Sequence, residues 1–291
     1  MNKFIAILTK AYHFLRRGPK LPMMILLILV TSAVFADFLA LHDPEIGDPR
    51  QRLLPPFWVS GGSINHPLGT DMMGRDVLSR LIYGARISLL VAFTAVIFAA
   101  FLGTAAGVCA GFLGGWVDQL IMRFTDAWLS IPTVMFGIMM AVIVGPGVFN
   151  IVIIMSLVYW TRYARVTRGE TLSLKMRDFV HLAKIAGCGR FRIIRRHILP
   201  NVMNTVITMA TLQIGIVVVV EASLTFLGVG VPPPKPAWGL MLSEGRGGLL
   251  TGYWWLIFFP GLAIGLLVLS FNLIGDWLRL RFDPYFQKLE K

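Results

Sequence analysis

Residues Arg177 to Asn201 read RDFVHLAKIAGCGRFRIIRRHILPN, a basic segment set between two long apolar runs and interrupted by Gly187-Cys188-Gly189. Before the glycines, Phe179, Val180, Ala183 and Ala186 recur at helical spacing, with Arg177, His181, Lys184 and Cys188 on the other side. That is a short amphipathic helix with a basic polar face. After the glycines, Phe191, Ile194 and Ile198 make a second stripe beside Arg192, Arg195 and Arg196, ending at Leu199-Pro200. Two short helices with a flexible elbow, held against a membrane surface, make a shape that another protein can grip. An interfacial loop whose arginines meet lipid phosphate accounts for the same pattern.

The rest of the chain supplies the membrane. Of 291 residues, 56% are hydrophobic and only 14% charged, and the mean hydropathy is +0.72. One soluble core cannot hide that much apolar surface, so the expectation is an all-α polytopic membrane protein. The net charge of +12 does not point to nucleic acid. The aromatics lie inside apolar runs rather than among the basic residues, and basic loops on one membrane face explain the charge. Cys109 and Cys188 are the only cysteines, and neither is placed for a disulfide across an oxidising face.

Working outward, the segment 162–200 collects ten positive residues, among them Arg162, Arg165 and Arg168, against Glu170 and Asp178 alone. That imbalance puts it in the cytoplasm. Residues 1–20 carry Lys3, Lys10, Arg16, Arg17 and Lys20 with no acid, so the N-terminus is cytoplasmic too. Val34-Phe35-Ala36 resembles a signal-peptide cleavage site. The apolar length of 21–41 and the spans that follow favour an uncleaved first span. Residues 42–85 are then extracytoplasmic, with Thr70 or Asp71 able to cap an interfacial helix whose apolar face is Val77, Leu78, Leu81, Ile82 and Ala85.

Five spans fill 86–276: about 87–111, 122–144 with Pro132 as a kink, 148–161, 198–224 and 253–273, followed by a cytoplasmic tail, 277–291. Ala99, Ala100, Gly103, Gly107 and Ala110 let the second span approach other helices closely. Asp37 lies near the outer end of the first span, and two acids fall inside these five spans, Asp126 and Glu221. Each is a candidate for a pathway or a helix interface, because intramembrane charge is costly.

The basic segment resembles the cytoplasmic loop of ABC importer membrane subunits: Glu-Ala-Ala, three residues, Gly, a further stretch, then Leu-Pro. Ala183, Gly187, Leu199 and Pro200 match that pattern, while His181 and Leu182 stand where it has Glu and Ala. Gly69-Thr70-Asp71 and Gly74-Arg75-Asp76-Val77-Leu78-Ser79-Arg80 resemble the run before the second span of C-type permeases in dipeptide, oligopeptide and nickel importers.

The resemblance implies a type I importer permease fold with six transmembrane helices in the bacterial inner membrane, both termini cytoplasmic. It implies a second permease subunit, two ATPase subunits and an extracytoplasmic solute-binding protein as partners. The ATPase-contacting residues would be Arg177, Asp178, His181, Ala183, Lys184, Gly187, Leu199 and Pro200, and ATP and Mg would be used on the partner chains.

No GxxxxGK[ST] or HExxH run is present, so nothing here binds nucleotide phosphate or zinc in a known pattern. The alternating acids of a calcium loop are missing around Asp71 and Asp76, and His42, His66, His181 and His197 are scattered. No catalytic, cofactor or metal site is therefore expected on this chain. A self-sufficient channel or ion-coupled carrier, or a scaffold that transports nothing, remains the rival reading.

Overall fold

The computed structural model describes residues 18–248 and 250–282. The basic residues Lys3, Lys10, Arg16 and Arg17, and the tail beyond 282, lie outside them. Among the described residues the protein is helical with no β-strand.

Helix α1 (Lys20–Val34) has no charged side chain after its first residue, and Thr31 and Ser32 return their hydroxyls to Leu27 O and Leu29 O at 2.7 and 2.8 Å. Polar groups in lipid need such internal partners. A short turn of helix, α2 (Ala36–Leu39), follows. Residues 42–76 then fold as an irregular cap.

Helix α3 (Val77–Leu113) is a single rod of 37 residues. Its cap is neither Thr70 nor Asp71 but Asp76, whose carboxylate accepts from Ser79 N at 2.7 Å. Thr70 is otherwise committed, since its hydroxyl donates to Gln51 O and accepts from Leu54 N. Asp71 is taken by the backbone of Met73 and Arg75.

The small-residue face of α3 does pack against a helix, α6 (Val148–Lys175). A Cβ on Gly103 would lie 2.1 Å from Trp160 O, and one on Gly107 would lie 2.3 Å from Ala164 O. Only glycine lets the two backbones come this close. Helix α6 continues past the expected end at Thr161 as far as Lys175, so much of the basic segment is an extension of a span.

The expected third span is not one kinked helix. Helices α4 (Gly115–Leu129) and α5 (Thr133–Val144) meet at 92°. Pro132 has no N–H to continue α4 and takes extended backbone, ψ 131°, so the chain turns instead of bending. Trp128 Nε1, donating to Leu157 O at 2.7 Å, fixes α4 against α6.

Helix α7 (Asp178–Ile185), the single turn α8 (Arg190–Ile193), a π-turn at Ile194–Ile198 and α9 (Leu199–Phe226) come next. The last three form one continuous run of 37 residues from Arg190 to Phe226. The fifth span thus begins well before Ile198. A short helix, α10 (Trp238–Gly245), lies under the loop after α9, and α11 (Trp255–Phe282) completes the bundle.

By length and apolarity α3, the Arg190–Phe226 run and α11 can each cross a membrane, and α4 with α5 meets the same test as a broken pair. Helices α1 and α6 overlie the two remaining expected spans but do not meet that test. Helix α9 packs on α11 and α3, and α1 on α3 and α11. This arrangement sets the basic segment at one end of the bundle and the 42–76 cap at the other.

Candidate functional site

At the basic end, α7 stops because the chain turns left-handed at Gly187, φ +76°. Gly187 N donates to Lys184 O and Cys188 N to Ala183 O, both at 3.0 Å, satisfying carbonyls that a helix C-terminus leaves open. Only Val180 and Ala183 of α7 are buried. Leu182 and Ile185 are 64% and 83% exposed, and Arg177, Asp178, His181 and Lys184 are exposed as well.

The second stripe is shifted from the sequence reading: Phe191 is 74% exposed, while Ile193 and Ile198 are buried. The π-turn is the reason, since Leu199 N reaches back to Ile194 O and inserts one residue into the turn. Pro200 directly after it cannot donate to Arg196 O, which favours the wider turn. Leu199 is half-buried and Pro200 exposed. Leu182, Ile185 and Phe191 are thus exposed apolar side chains in a segment that also exposes Lys184, Arg190, Arg192, Arg195 and Arg196.

This element is braced to the bundle. Arg168 of α6 donates to both carboxylate oxygens of Asp118 on α4, with Nη2 to Oδ2 at 2.6 Å. Those hydrogen bonds hold the Asp118 carboxyl below the usual range. Lys175 Nζ donates to Phe112 O at 2.7 Å. Burial raises Glu170, partly offset by a hydrogen bond from Thr205. Asp126 pairs with Arg165 at 2.6 Å, both exposed. It therefore ties α4 to α6.

Glu221 is fully buried, accepting from Thr225 at 2.9 Å and from Ser88 of α3 at 3.3 Å. Thr225 also accepts from Val231 N, which draws the loop after α9, with Pro232, Pro233 and Pro234, back onto that helix.

The cap end holds a charge cluster that sequence spacing does not reveal. Arg75 and Arg80 both reach Asp71, and both also reach Glu244 of α10, at 2.9 and 2.7 Å. Arg80 is 1% exposed. Trp238 is buried beside it, donating to Leu81 O at 2.9 Å. The aspartates and arginines of the Gly69–Arg80 motif therefore fasten the cap to α3 and α10. Glu244 was missed because it lies far along the chain in an unremarkable Ser-Glu-Gly context.

A helical bundle with a two-helix basic element at one end and a buried ionic cap at the other defines the membrane subunit of a transporter. A family model for the inner membrane component of binding-protein-dependent transport systems matches residues 103–288, and the chain belongs to that family. It is a multi-pass inner-membrane permease of the type I ABC fold, a class that works with ATPase and solute-binding partners.

Among its relatives, the di/tripeptide transport system permease protein DppC of Pseudomonas aeruginosa is 40% identical over 262 residues, covering 90% of this chain and 86% of the relative. The dipeptide transport system permease protein DppC of Haemophilus influenzae is 39% identical over 273 residues, covering 94% and 92%. That of Bacillus subtilis is 37% identical over 262 residues, covering 90% and 80%.

Proposed function

We propose that this chain is one permease half of an ATP-driven peptide importer, paired with a second permease, two ATPase subunits and an external solute-binding protein. The peptide assignment rests on the names of its relatives. The basic end faces the cytoplasm, where its arginines and apolar face meet the ATPase, and both termini lie on that side. The cap end meets the binding protein and the second permease.

One observation carries the coupling reading: Phe191 is exposed at the start of a span-length helical run, and Leu182 and Ile185 are exposed on the short helix just before it. Apolar side chains with a basic rim, built onto such a helix, suit a partner that both grips and moves it. ATP binding to the partner then favours one helix packing over another, through a difference in binding energy delivered at α7 and α8. ATP and Mg chemistry belongs to the partner chains. Glu221 and its hydroxyl partners hold α9 to α3, and Asp126 holds α4 to α6.

The test is purification of the complex from a strain with a tagged copy of this chain, followed by uptake of labelled di- and tripeptides and of nickel after deletion. Co-purification of an ATPase with loss of peptide uptake is expected. Transport by this chain alone in liposomes would overturn the reading.

A further inference from the structure

His42, His66 and Asp76 come from three separate places along the cap: its first residue after α2, its middle, and the N-cap of α3. Their ligand-type atoms nevertheless all lie within 4.8 Å of one another. His66 Nδ1 is 3.0 Å from Asp76 Oδ1, and His42 Nδ1 is 4.0 Å from Asp76 Oδ2. The two rings are 4.5 Å apart and tilted by 30°.

The hydrogen bonds around His66 define its chemistry. Gln51 Nε2 donates to Asp48 Oδ2 at 3.3 Å, which turns Gln51 Oε1 toward His66 Nε2 at 2.7 Å. A carbonyl oxygen accepts only, so Nε2 carries a proton. Nδ1 then faces a carboxylate oxygen, and a proton or a cation has to lie between them. An N–H held by an amide carbonyl on one side, with the other ring nitrogen beside a carboxylate, is how proteins orient a metal-binding histidine.

The separations fit as well. Ligand atoms around a tetrahedral zinc are about 3.3 Å apart, given bonds of about 2.0–2.1 Å. The pair at 3.0 Å, a hydrogen-bond distance, is close to this. His42 is partly exposed and can close the rest by side-chain rotation. Asp76 is fixed by Ser79, whose N and Oγ both donate to Oδ2 at 2.7 Å, and Ser79 Oγ also accepts from His42 N at 3.1 Å. A cavity of about 340 Å³ opens beside the three residues, with Asp43 and Asp48 in its wall. It adds negative charge and room for a water or another ligand.

We propose that His42, His66 and Asp76 bind a divalent first-row transition ion, with zinc as the type case, at the cap end. The ion fastens the exit of the first span to the start of the second. The site is separate from the coupling element, and its test reads metal, not transport.

The full chain is purified in nanodiscs on a tag without histidine, and Zn²⁺ is measured by elemental analysis and by competition with a chelator. The expected result is one Zn²⁺ per chain and a zinc-dependent rise in melting temperature. His42→Ala, at a partly exposed position, should lose both. Asp76→Asn should lose the ion but keep the helix, because asparagine caps as well as aspartate. Gln51→Leu should weaken binding about 10–100-fold. Co²⁺ at the same site should give a visible spectrum that His42→Ala abolishes. No zinc on the wild-type chain, or equal stoichiometry and affinity in wild type, His42→Ala and Asp76→Asn, would overturn the proposal.

Discussion

Replacing Gly187 separates backbone geometry from packing, because a Cβ built there meets nothing within 4 Å. The entire cost of a substitution then comes from φ +76°. Holding an ordinary L-residue in that region costs about 1–2 kcal/mol, which is a factor of about 5–30 in population. Asparagine tolerates the conformation better, and a β-branched residue tolerates it least. Coupling should therefore decline in the order Gly, Asn, Ala, Val. The strain falls on the α7–α8 elbow, away from the α3–α6 interface, so membrane abundance and melting temperature should stay close to wild type.

The assay is the assembled transporter in proteoliposomes, with peptide uptake and ATP hydrolysis read at matched permease abundance. Gly187→Val should lose about 5–30-fold in uptake per ATP, with Gly187→Asn near wild type. Normal coupling in the valine variant, or equal damage from asparagine and valine, would refute the left-handed elbow as the operative feature.

Gly107→Ala forces a methyl against Ala164 O, and the overpacking should cost about 1–3 kcal/mol, read as a lower melting temperature in detergent. Glu244→Ala leaves Arg75 and the buried Arg80 to share Asp71. Removing one partner from a buried pair costs about 3–5 kcal/mol, so this variant should fall in membrane abundance. The Asp118 carboxyl is lowered by its hydrogen bonds with Arg168, so its contribution to stability is present above the unfolded value near 3.8 and disappears as pH falls through the folded value. Asp118→Asn should therefore melt below wild type at pH 7, with the gap closing under acid conditions, as melts across a pH series would reveal.

The long apolar helices α3, α9 and α11 were legible as apolar runs, and the close-packing face of α3 was legible from its small residues. Boundaries at the basic end were not. Charges at Arg162, Arg165 and Arg168 read as the end of a span, yet a helix leaving lipid has no reason to unwind in water when its next residues still favour helix. Phe191 was assigned to the buried stripe because a period of 3.6 carries no sign of a π-turn. Pro132 was read as a kink, although a proline preceded by Ser130-Ile131 can equally start a new helix.

The candidate coupling residues, Gly187 among them, were read from motif spacing, and the left-handed backbone at Gly187 is what the structure adds. The cap was only half legible. Asp71, Arg75 and Arg80 announced themselves as a motif, but Glu244, and the meeting of His42 with His66, depend on how distant segments fold together.

The unbroken helix from Arg190 to Phe226 has a mechanical consequence. Thirty-seven residues at 1.5 Å each make a rod about 55 Å long, with Phe191 at one tip and the Glu221–Thr225 clasp near the other. If such a rod pivots by about 5°, its far tip swings by about 5 Å. In the proposed importer, a pivot near the basic tip would turn a small rotation into a displacement as large as a peptide side chain at the Glu221 end.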